Sequence, residues 1–174
     1  MRELGIAFGS NIGDKVSHIR AALHGLNEID GLTLKSVSSA YRTPPWGFED
    51  QDIFVNACAI AETSLSPNAL LKLAKDLERR IGRTSTFRWG PRVIDIDLIY
   101  LSGVTQSEEH LTLPHKEALN RAFVLVPLLE IHPDLVISGQ RISDVVARLD
   151  KEGIEPIGLP LYSLDDVGDT RSRL

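Results

Sequence analysis

The chain of 174 residues has one cysteine, Cys58. It cannot form an intrachain disulfide, and its place in the apolar run Ile53–Ile60 marks it as a small core residue rather than a nucleophile. Long hydrophobic runs are missing too. No stretch approaches the roughly 20 residues needed to span a bilayer, and the N-terminus has no apolar stretch of the signal-peptide kind, so a cytoplasmic protein is expected. An excess of basic charge is also lacking. With 24 acidic residues against 19 lysines and arginines, the formal net charge of -5 argues against a broad nucleic-acid surface and leaves room for a local basic patch. The common phosphate-binding loops are absent as well. Gly9-Ser10-Asn11-Ile12-Gly13 fits neither G-x-x-x-x-G-K-[ST] nor G-x-G-x-x-G, and reads as a tight strand-to-helix turn. What is present is 43% hydrophobic and 25% charged, the make-up of one globular domain large enough to bury a core.

The strongest chemical signal is Arg88-Trp89-Gly90-Pro91-Arg92-Val93-Ile94-Asp95-Ile96-Asp97-Leu98-Ile99-Tyr100. From Val93 the residues alternate apolar with acidic, which predicts a strand buried on at least one face. Alternate side chains of a strand share a face, so Asp95 and Asp97 stand together with Cα atoms about 6.5–7 Å apart. Like charges that close repel unless something cationic sits between them. Arg83, Arg88 and Arg92 gather in the irregular segment just upstream, where guanidinium groups can hold phosphates bidentately. Two readings fit: a solvated acidic face neutralised by nearby arginines, or a site for Mg²⁺ and a polyphosphate.

The remaining chain supplies a frame. Leu4–Phe8 predicts a first strand. Asp14 is a good N-cap for a helix whose Val16, Ile19, Ala22, Leu23 and Leu26 recur at helical spacing. Leu32 to Arg42 alternates as a second strand, halted by Pro44-Pro45. The following loop, Thr43 to Asp52, carries Trp46 and Phe48. Such rings either fold back on the core or close over a flat ligand. Ile53–Ala61 predicts a third strand interrupted by Asn56, which is either a satisfied structural amide or a donor and acceptor for a heterocycle edge. Ser66 and Pro67 open a second helix that Gly82 ends, with Leu70, Leu71, Leu73, Ala74, Leu77 and Ile81 on its apolar face.

Beyond the acidic strand, Leu111–His115 is short and extended. His115 on its own is weak evidence, since a lone histidine is more often structural than catalytic. Helical stretches are expected at Glu117–Arg121 and Phe123–Glu130, and Ser143 is expected to cap a last helix. From Gly153 the pattern fades, and the tail from Ser163 to Leu174 is expected to be mobile. The order strand, helix, strand, strand, helix, strand predicts an α+β fold: a ferredoxin-like βαββαβ core whose antiparallel sheet has two helices on one face, with extra C-terminal helices. Asp95 and Asp97 would then lie on the other face. One domain, residues 1–153, and a C-terminal extension, 154–174, are expected.

With these segments placed, the sequence strongly resembles the 6-hydroxymethyl-7,8-dihydropterin pyrophosphokinase family. The matching pieces are Phe8-Gly9-Ser10-Asn11, Tyr41-Arg42-Thr43-Pro44-Pro45, Phe54-Val55-Asn56-Ala57, Arg88-Trp89-Gly90-Pro91-Arg92, Asp95-Ile96-Asp97-Leu98, Leu113-Pro114-His115 and Asn120-Arg121-Ala122-Phe123, in family order from about Leu4 to Leu149. The resemblance implies transfer of a pyrophosphoryl group from ATP to the pterin hydroxymethyl oxygen, in a monomer. It implies two Mg²⁺ ions on Asp95 and Asp97, with Arg83 and Arg92 as catalytic arginines. Pterin contacts are implied at Thr43, Pro44, Pro45, Trp46, Phe54, Asn56, Trp89 and Phe123. ATP contacts are implied at Lys75, Glu78, Arg88, Leu98, Thr112, His115 and Arg121. Four places depart from the commonest pattern. Trp46 stands where a smaller aliphatic is frequent, and Phe54 where tyrosine is. Thr84-Ser85-Thr86-Phe87 lacks a second loop arginine, and His110 occupies a position that is often basic.

Overall fold

The computed structural model describes residues 1–163. Its centre is β1 (Arg2–Ser10), buried from Leu4 to its end. Helix α1 (Lys15–Asn27) follows, with the Asp14 carboxylate accepting the Ser17 N–H at its start. Strands β2 (Leu32–Val37), β3 (Tyr41–Thr43) and β4 (Phe54–Thr63) come next, then α2 (Pro67–Ile81) and β5 (Asp95–Leu101). Ser66 caps α2 by accepting the Ala69 N–H, and Gly82 ends it at φ 120°, a conformation that favours glycine. Two short hairpins are β6 with β7 (Gln106–Ser107, Thr112–Leu113) and β8 with β9 (Val136–Ile137, Gln140–Arg141). Helix α3 (Ala122–Ile131) lies between these hairpins, and α4 (Ile142–Arg148) precedes a last strand, β10 (Glu155–Pro156).

The main sheet runs β10-β3-β4-β1-β5, with β2 also paired to β4, and every pairing is antiparallel. The apolar stripes of α1 and α2 bury against one face, where Leu4, Ile6, Phe8, Ile96 and Leu98 meet Ile19, Leu23, Leu70 and Leu77. The opposite face is covered over much of its area as well. There Ala7, Cys58, Ile60, Ile99 and Tyr100 pack against Leu125 and Leu128 of α3 and Val145 of α4. The acidic end of β5 escapes this cover because α3 begins only at Ala122, beside it.

A register shift between β1 and β5 sets Gly5 opposite Tyr100 but Ile6 opposite Leu98. Ile99 is the extra residue, and the bulge turns both Ile99 and Tyr100 onto the α3 side. Gly5 has to be bare, since a Cβ there would lie 2.3 Å from the Tyr100 ring. The Tyr100 hydroxyl donates to Glu3 at 2.7 Å.

Two local expectations change. The second strand is broken, because Ser38–Ala40 bulges away between β2 and β3. The Ser38 N–H donates to the Cys58 carbonyl and its hydroxyl accepts the Cys58 N–H, so both partners bond β4 while the ladder shifts register. Helix α4 starts at Ile142 with Arg141 at the cap position, which leaves Ser143 inside the first turn. Residues 154–163 pack on the same body as the rest: Glu155 and Pro156 pair with Arg42 and Tyr41, Leu161 is buried, and Arg20 donates to the Pro160 carbonyl. Residues 164–174, expected to be mobile, lie outside the described residues. Among the described residues, no helix is long and apolar enough to cross a membrane.

Candidate active site

The end of β1 forms the floor of a cleft. Gly9 pairs with Asn56 on one side and Asp95 on the other. A Cβ at Gly9 would come within 2.8 Å of the Asn56 amide oxygen, so the missing side chain opens space above the sheet. Asn56 is buried and donates through Nδ2 to the Thr43 hydroxyl at 2.6 Å. Its carbonyl oxygen faces this space. A cavity of about 540 Å³, mouth included, stands here, walled by Thr43, Pro44, Trp46, Phe54, Asn56, Trp89, Phe123 and Val124 and reaching Arg92, Asp95, Asp97 and Arg121. A second, wider cleft of about 940 Å³, open mouth included, lies against Lys75, Glu78, Arg83, Thr84–Phe87 and Arg88, and it shares Trp89 and Arg92 with the first. One chamber is aromatic and holds the carboxylates, the other is cationic, and they meet at Trp89 and Arg92.

The charges are arranged around Asp95. Arg83 contacts one of its oxygens at 2.6 Å and Arg92 the other at 2.8 Å. Burial works to raise the Asp95 carboxyl, but Arg92 and Arg83 outweigh it and hold it below the ordinary carboxylate value. Asp97 has weaker support, from Arg121 at 3.5 Å. Burial, joined by repulsion from Asp95, pushes its proton affinity up. Behind the pair, Glu78 is almost fully buried. It accepts the Ile96 N–H at 2.7 Å and contacts Arg83 at 2.8 Å and Lys75 at 3.1 Å. Burial raises its carboxyl as well, with Lys75 acting against it. Glu78 thus ties α2 to β5 and holds Arg83 in place.

These residues fit a hard dication. Two carboxylates on a rigid strand repel each other, and a cation between them would relieve that repulsion. Among the described residues, no three or more His, Cys, Asp or Glu side chains come together as a metal cage. Further ligands would have to be phosphate oxygens and water, which is the usual manner of Mg²⁺. An anion fits equally well, since the buried Nε of Arg121, beside the cavity, has no hydrogen-bond partner among the described residues.

The aromatic wall is built from two loops and the start of α3. Trp89 has φ 62°, a left-handed conformation that is uncommon for a bulky residue and needs support. The Arg88 guanidinium lies 4.4 Å over its ring. Gly47, at φ 89°, lies so close that a Cβ there would sit 2.8 Å from the same ring. Trp46 meets Trp89 at 5.7 Å and Phe123 at 6.3 Å, both edge-on. Phe48 folds onto Phe87 across the two loop tips, at 5.1 Å, rather than back on the core.

Of the residues singled out by sequence, the cavities bring together all but Pro45, Leu98, Thr112 and His115. Leu98 points into the α1 and α2 core, so only its backbone faces outward. Thr112 sits in β7. His115 runs beside β5, its N–H donating to the Ile99 carbonyl at 2.7 Å. Its Nδ1 accepts the Glu117 N–H at 3.1 Å. Burial, then Arg121, pushes its pKa down to about 4, so at neutral pH the ring is uncharged and Nε2–H is a donor.

Two site residues escaped the sequence reading. The backbone N–H of Asn11 donates to the Arg92 carbonyl at 3.1 Å, and its side-chain oxygen accepts the Arg92 N–H at 2.8 Å. Its Nδ2 donates to Gln51 at 2.9 Å, and Gln51 in turn donates to the Trp89 carbonyl at 2.8 Å. These two amides clasp both loops to the end of β1. Asn11 closes the matching piece Phe8-Gly9-Ser10-Asn11, but nothing in the sequence marks Arg92 or Gln51 as its partners.

An antiparallel α+β sheet whose cleft sets an aromatic chamber, lined in part by paired carboxylates, beside a cationic one has the build of a transferase working between a flat acceptor and a polyphosphate donor. The chain belongs to the 7,8-dihydro-6-hydroxymethylpterin-pyrophosphokinase family, whose model matches residues 5–133. A 2-amino-4-hydroxy-6-hydroxymethyldihydropteridine pyrophosphokinase of Methylorubrum extorquens is 47% identical over 152 residues, covering 87% of this chain and 96% of its relative. The Bacillus subtilis enzyme of that name is 43% identical over 126 residues, 72% of this chain and 75% of its own. The folic acid synthesis protein fol1 of Schizosaccharomyces pombe is 39% identical over 163 residues, 92% of this chain but 22% of that longer protein. Among solved structures, Plasmodium falciparum HPPK-DHPS with pteroate shares the fold, at a TM-score of 0.68 and 12% identity over 84% of this chain and 44% of that one.

Proposed function

We infer that the chain transfers the β,γ-pyrophosphoryl group of ATP to the hydroxymethyl oxygen of 6-hydroxymethyl-7,8-dihydropterin, releasing AMP, in folate biosynthesis. The observation that carries this is that the aromatic chamber, with Asp95 and Asp97 in its lining, adjoins the cationic one at the shared Trp89 and Arg92. In this reading the pterin stacks between Trp89 and Phe123, with Asn56, Thr43 and the backbone of Pro44–Trp46 along its edge and Phe54 at its side. Asn56 suits this role because its oxygen is free of the Thr43 bond. Lys75, Glu78, Arg88 and Arg121 border the triphosphate and adenosine. Thr112, His115 and the Leu98 backbone would complete the ATP contacts from outside the cavity walls, with His115 donating from Nε2.

Asp95 and Asp97 would hold two Mg²⁺ ions with the phosphates, and these ions, when bound, neutralise phosphate charge and acidify the acceptor hydroxyl. Arg83 and Arg92 are fixed on Asp95 before any substrate arrives. From there they can turn toward charge growing on the bridging and transferred oxygens, with little reorganisation. The sheet order, two βαβ units joined by an antiparallel hairpin, supports a ferredoxin-like core. We read residues 1–153 as the catalytic domain, and the enzyme as a cytoplasmic monomer. The test is product analysis with ATP, Mg²⁺ and the dihydropterin alcohol: AMP and pterin diphosphate are expected in equal amounts, and ADP would mean an ordinary γ-phosphate kinase instead.

A further inference from the structure

Glu130, in the last turn of α3, is exposed, and a carboxylate so placed is ordinarily left to water. Instead both of its oxygens are taken. One accepts the Ser39 N–H and the Ser39 hydroxyl, each at 2.9 Å. The other accepts the Tyr41 hydroxyl at 2.5 Å. Burial, then Glu130 itself, pushes the pKa of that hydroxyl up, so it stays a donor near neutral pH. Three donors from one short stretch thus clamp the end of α3 to the segment that breaks the second strand. Neither Tyr41 nor Glu130 lines either cavity.

The clamp lies directly behind the aromatic chamber. Tyr41 and Thr43 alternate on β3, and Asn56 and Phe54 pair opposite them on β4, so the four side chains share the face under α3. Phe123 and Glu130 are seven residues apart on α3, about two turns, so they share one side of the helix. The strand pair supplies Thr43, Phe54 and Asn56 to the chamber, and the helix supplies Phe123 and Val124. The gap between strands and helix is therefore the width of the chamber. Two polar ties set that gap. The Cys58 thiol donates to the Val124 carbonyl at 3.4 Å beside the chamber, and the clamp holds the far end of α3.

We propose that Tyr41 and Glu130 are positioning residues for acceptor binding, a brace that fixes the spacing of β3 and β4 from α3 and so the width of the chamber that a flat heterocycle enters. The proposal rests on reading that chamber as the acceptor site. Neither residue touches the acceptor. A flat ring gains most when its walls stand apart by the thickness it fills, and a gap of about 0.5–1 Å forfeits a quarter to a half of the contact energy. Slack at the Glu130 end of a stiff helix is passed to its other end, where Phe123 sits. The carboxylates stand on β5 and the cationic cleft on α2 and the segment after it, so both are built on other elements.

The test compares wild type with Tyr41→Phe, Glu130→Gln, Glu130→Ala and the double variant of Tyr41→Phe with Glu130→Ala, all as full chains checked for folding by circular dichroism melting. Binding of 6-hydroxymethyl-7,8-dihydropterin and, separately, of a non-hydrolysable ATP analogue with Mg²⁺ is measured by calorimetry. The pterin Kd should rise about three- to tenfold in Tyr41→Phe and Glu130→Ala, and less in Glu130→Gln, whose amide oxygen can still accept from Ser39. The double variant should match Glu130→Ala, since the Tyr41 hydroxyl then has no partner left to lose. The Kd of the ATP analogue and kcat should each move by less than about twofold, while the Michaelis constant for the pterin follows its Kd. A brace serving stability alone would lower the melting temperature and leave pterin binding in place, and that result would overturn the proposal. Equal weakening of both ligands would overturn it too, because it would mean a general loosening. Failure of wild type to bind the pterin would overturn the acceptor reading itself, and this proposal with it. Tyr41→Phe removes only a hydroxyl, so it carries the comparison should Glu130→Ala not fold.

Discussion

Asp95 and Asp97 sit two residues apart on one strand face, yet they are not equivalent. Asp95 carries two arginine contacts within 3 Å, and Asp97 has one at 3.5 Å. Replacing either by asparagine keeps shape and removes charge. We expect each variant to lose at least about a thousandfold in AMP release with an unaltered circular dichroism spectrum, as befits groups that act on charge in the transition state. Full turnover in either variant would remove the metal role.

His115 offers a check by pH. Its folded pKa, near 4, lies below the ordinary 6.5, so folding favours the neutral ring. The unfolded chain binds more protons between those values, so this contribution to stability is complete above about pH 6.5 and declines as pH falls toward 4. An NMR titration should place the ring near 4, and His115→Gln should flatten that part of the urea-midpoint profile. A titration near 6.5 would contradict the burial argument. The acidic pair and the arginine cluster were legible as letters, because their spacing is set by the two-residue period of a strand. Asn11 and Gln51 were not, because their partners are carbonyls and amides 38 to 81 residues away.

At the scale of elements, the helices announced themselves. Asp14 and Ser66 cap as their side chains dictate, and Gly82 stops α2. Ser66→Ala should lower stability by about 1 kcal/mol without touching the site, measured by denaturant unfolding. The break in the second strand was not read from the sequence, since Leu32, Leu34, Val37 and Tyr41 suggest one alternating run across Ser38–Ala40 and only pairing with β4 reveals the interruption. The loops matter more for function. Asn11→Ala should free the Arg92 and Trp89 segment, lowering kcat about ten- to a hundredfold, with a smaller rise in the Michaelis constant and faster amide exchange in both loops. Exchange left unchanged would mean that the clasp is not what holds them.

Across the whole molecule, the sequence order of strands and helices foretold the sheet and the first helix layer. It did not foretell that α3 and α4 would coat the second face, leaving open only the end that holds the carboxylates. The reason is that α3 is apolar on nearly all sides and has no stripe to show which layer it joins. Because the two cores are built from apolar side chains and leave Asp95 and Asp97 outside them, chelation by EDTA should abolish turnover yet leave the melting temperature of the nucleotide-free protein in place. Adding ATP analogue with Mg²⁺ should raise it, by mass action on the folded state. A melting point that fell with EDTA alone would show a structural metal instead.

Gly5 lies on the same strand as Gly9 but well down it, hidden under Tyr100. Any side chain there has to lever that ring aside, and the bulge that aims β5 leans on the same ring. A mutational library that spares every wall of the cleft should therefore still go dark at position 5. The inheritance of catalysis in this chain depends on a residue that no substrate ever meets.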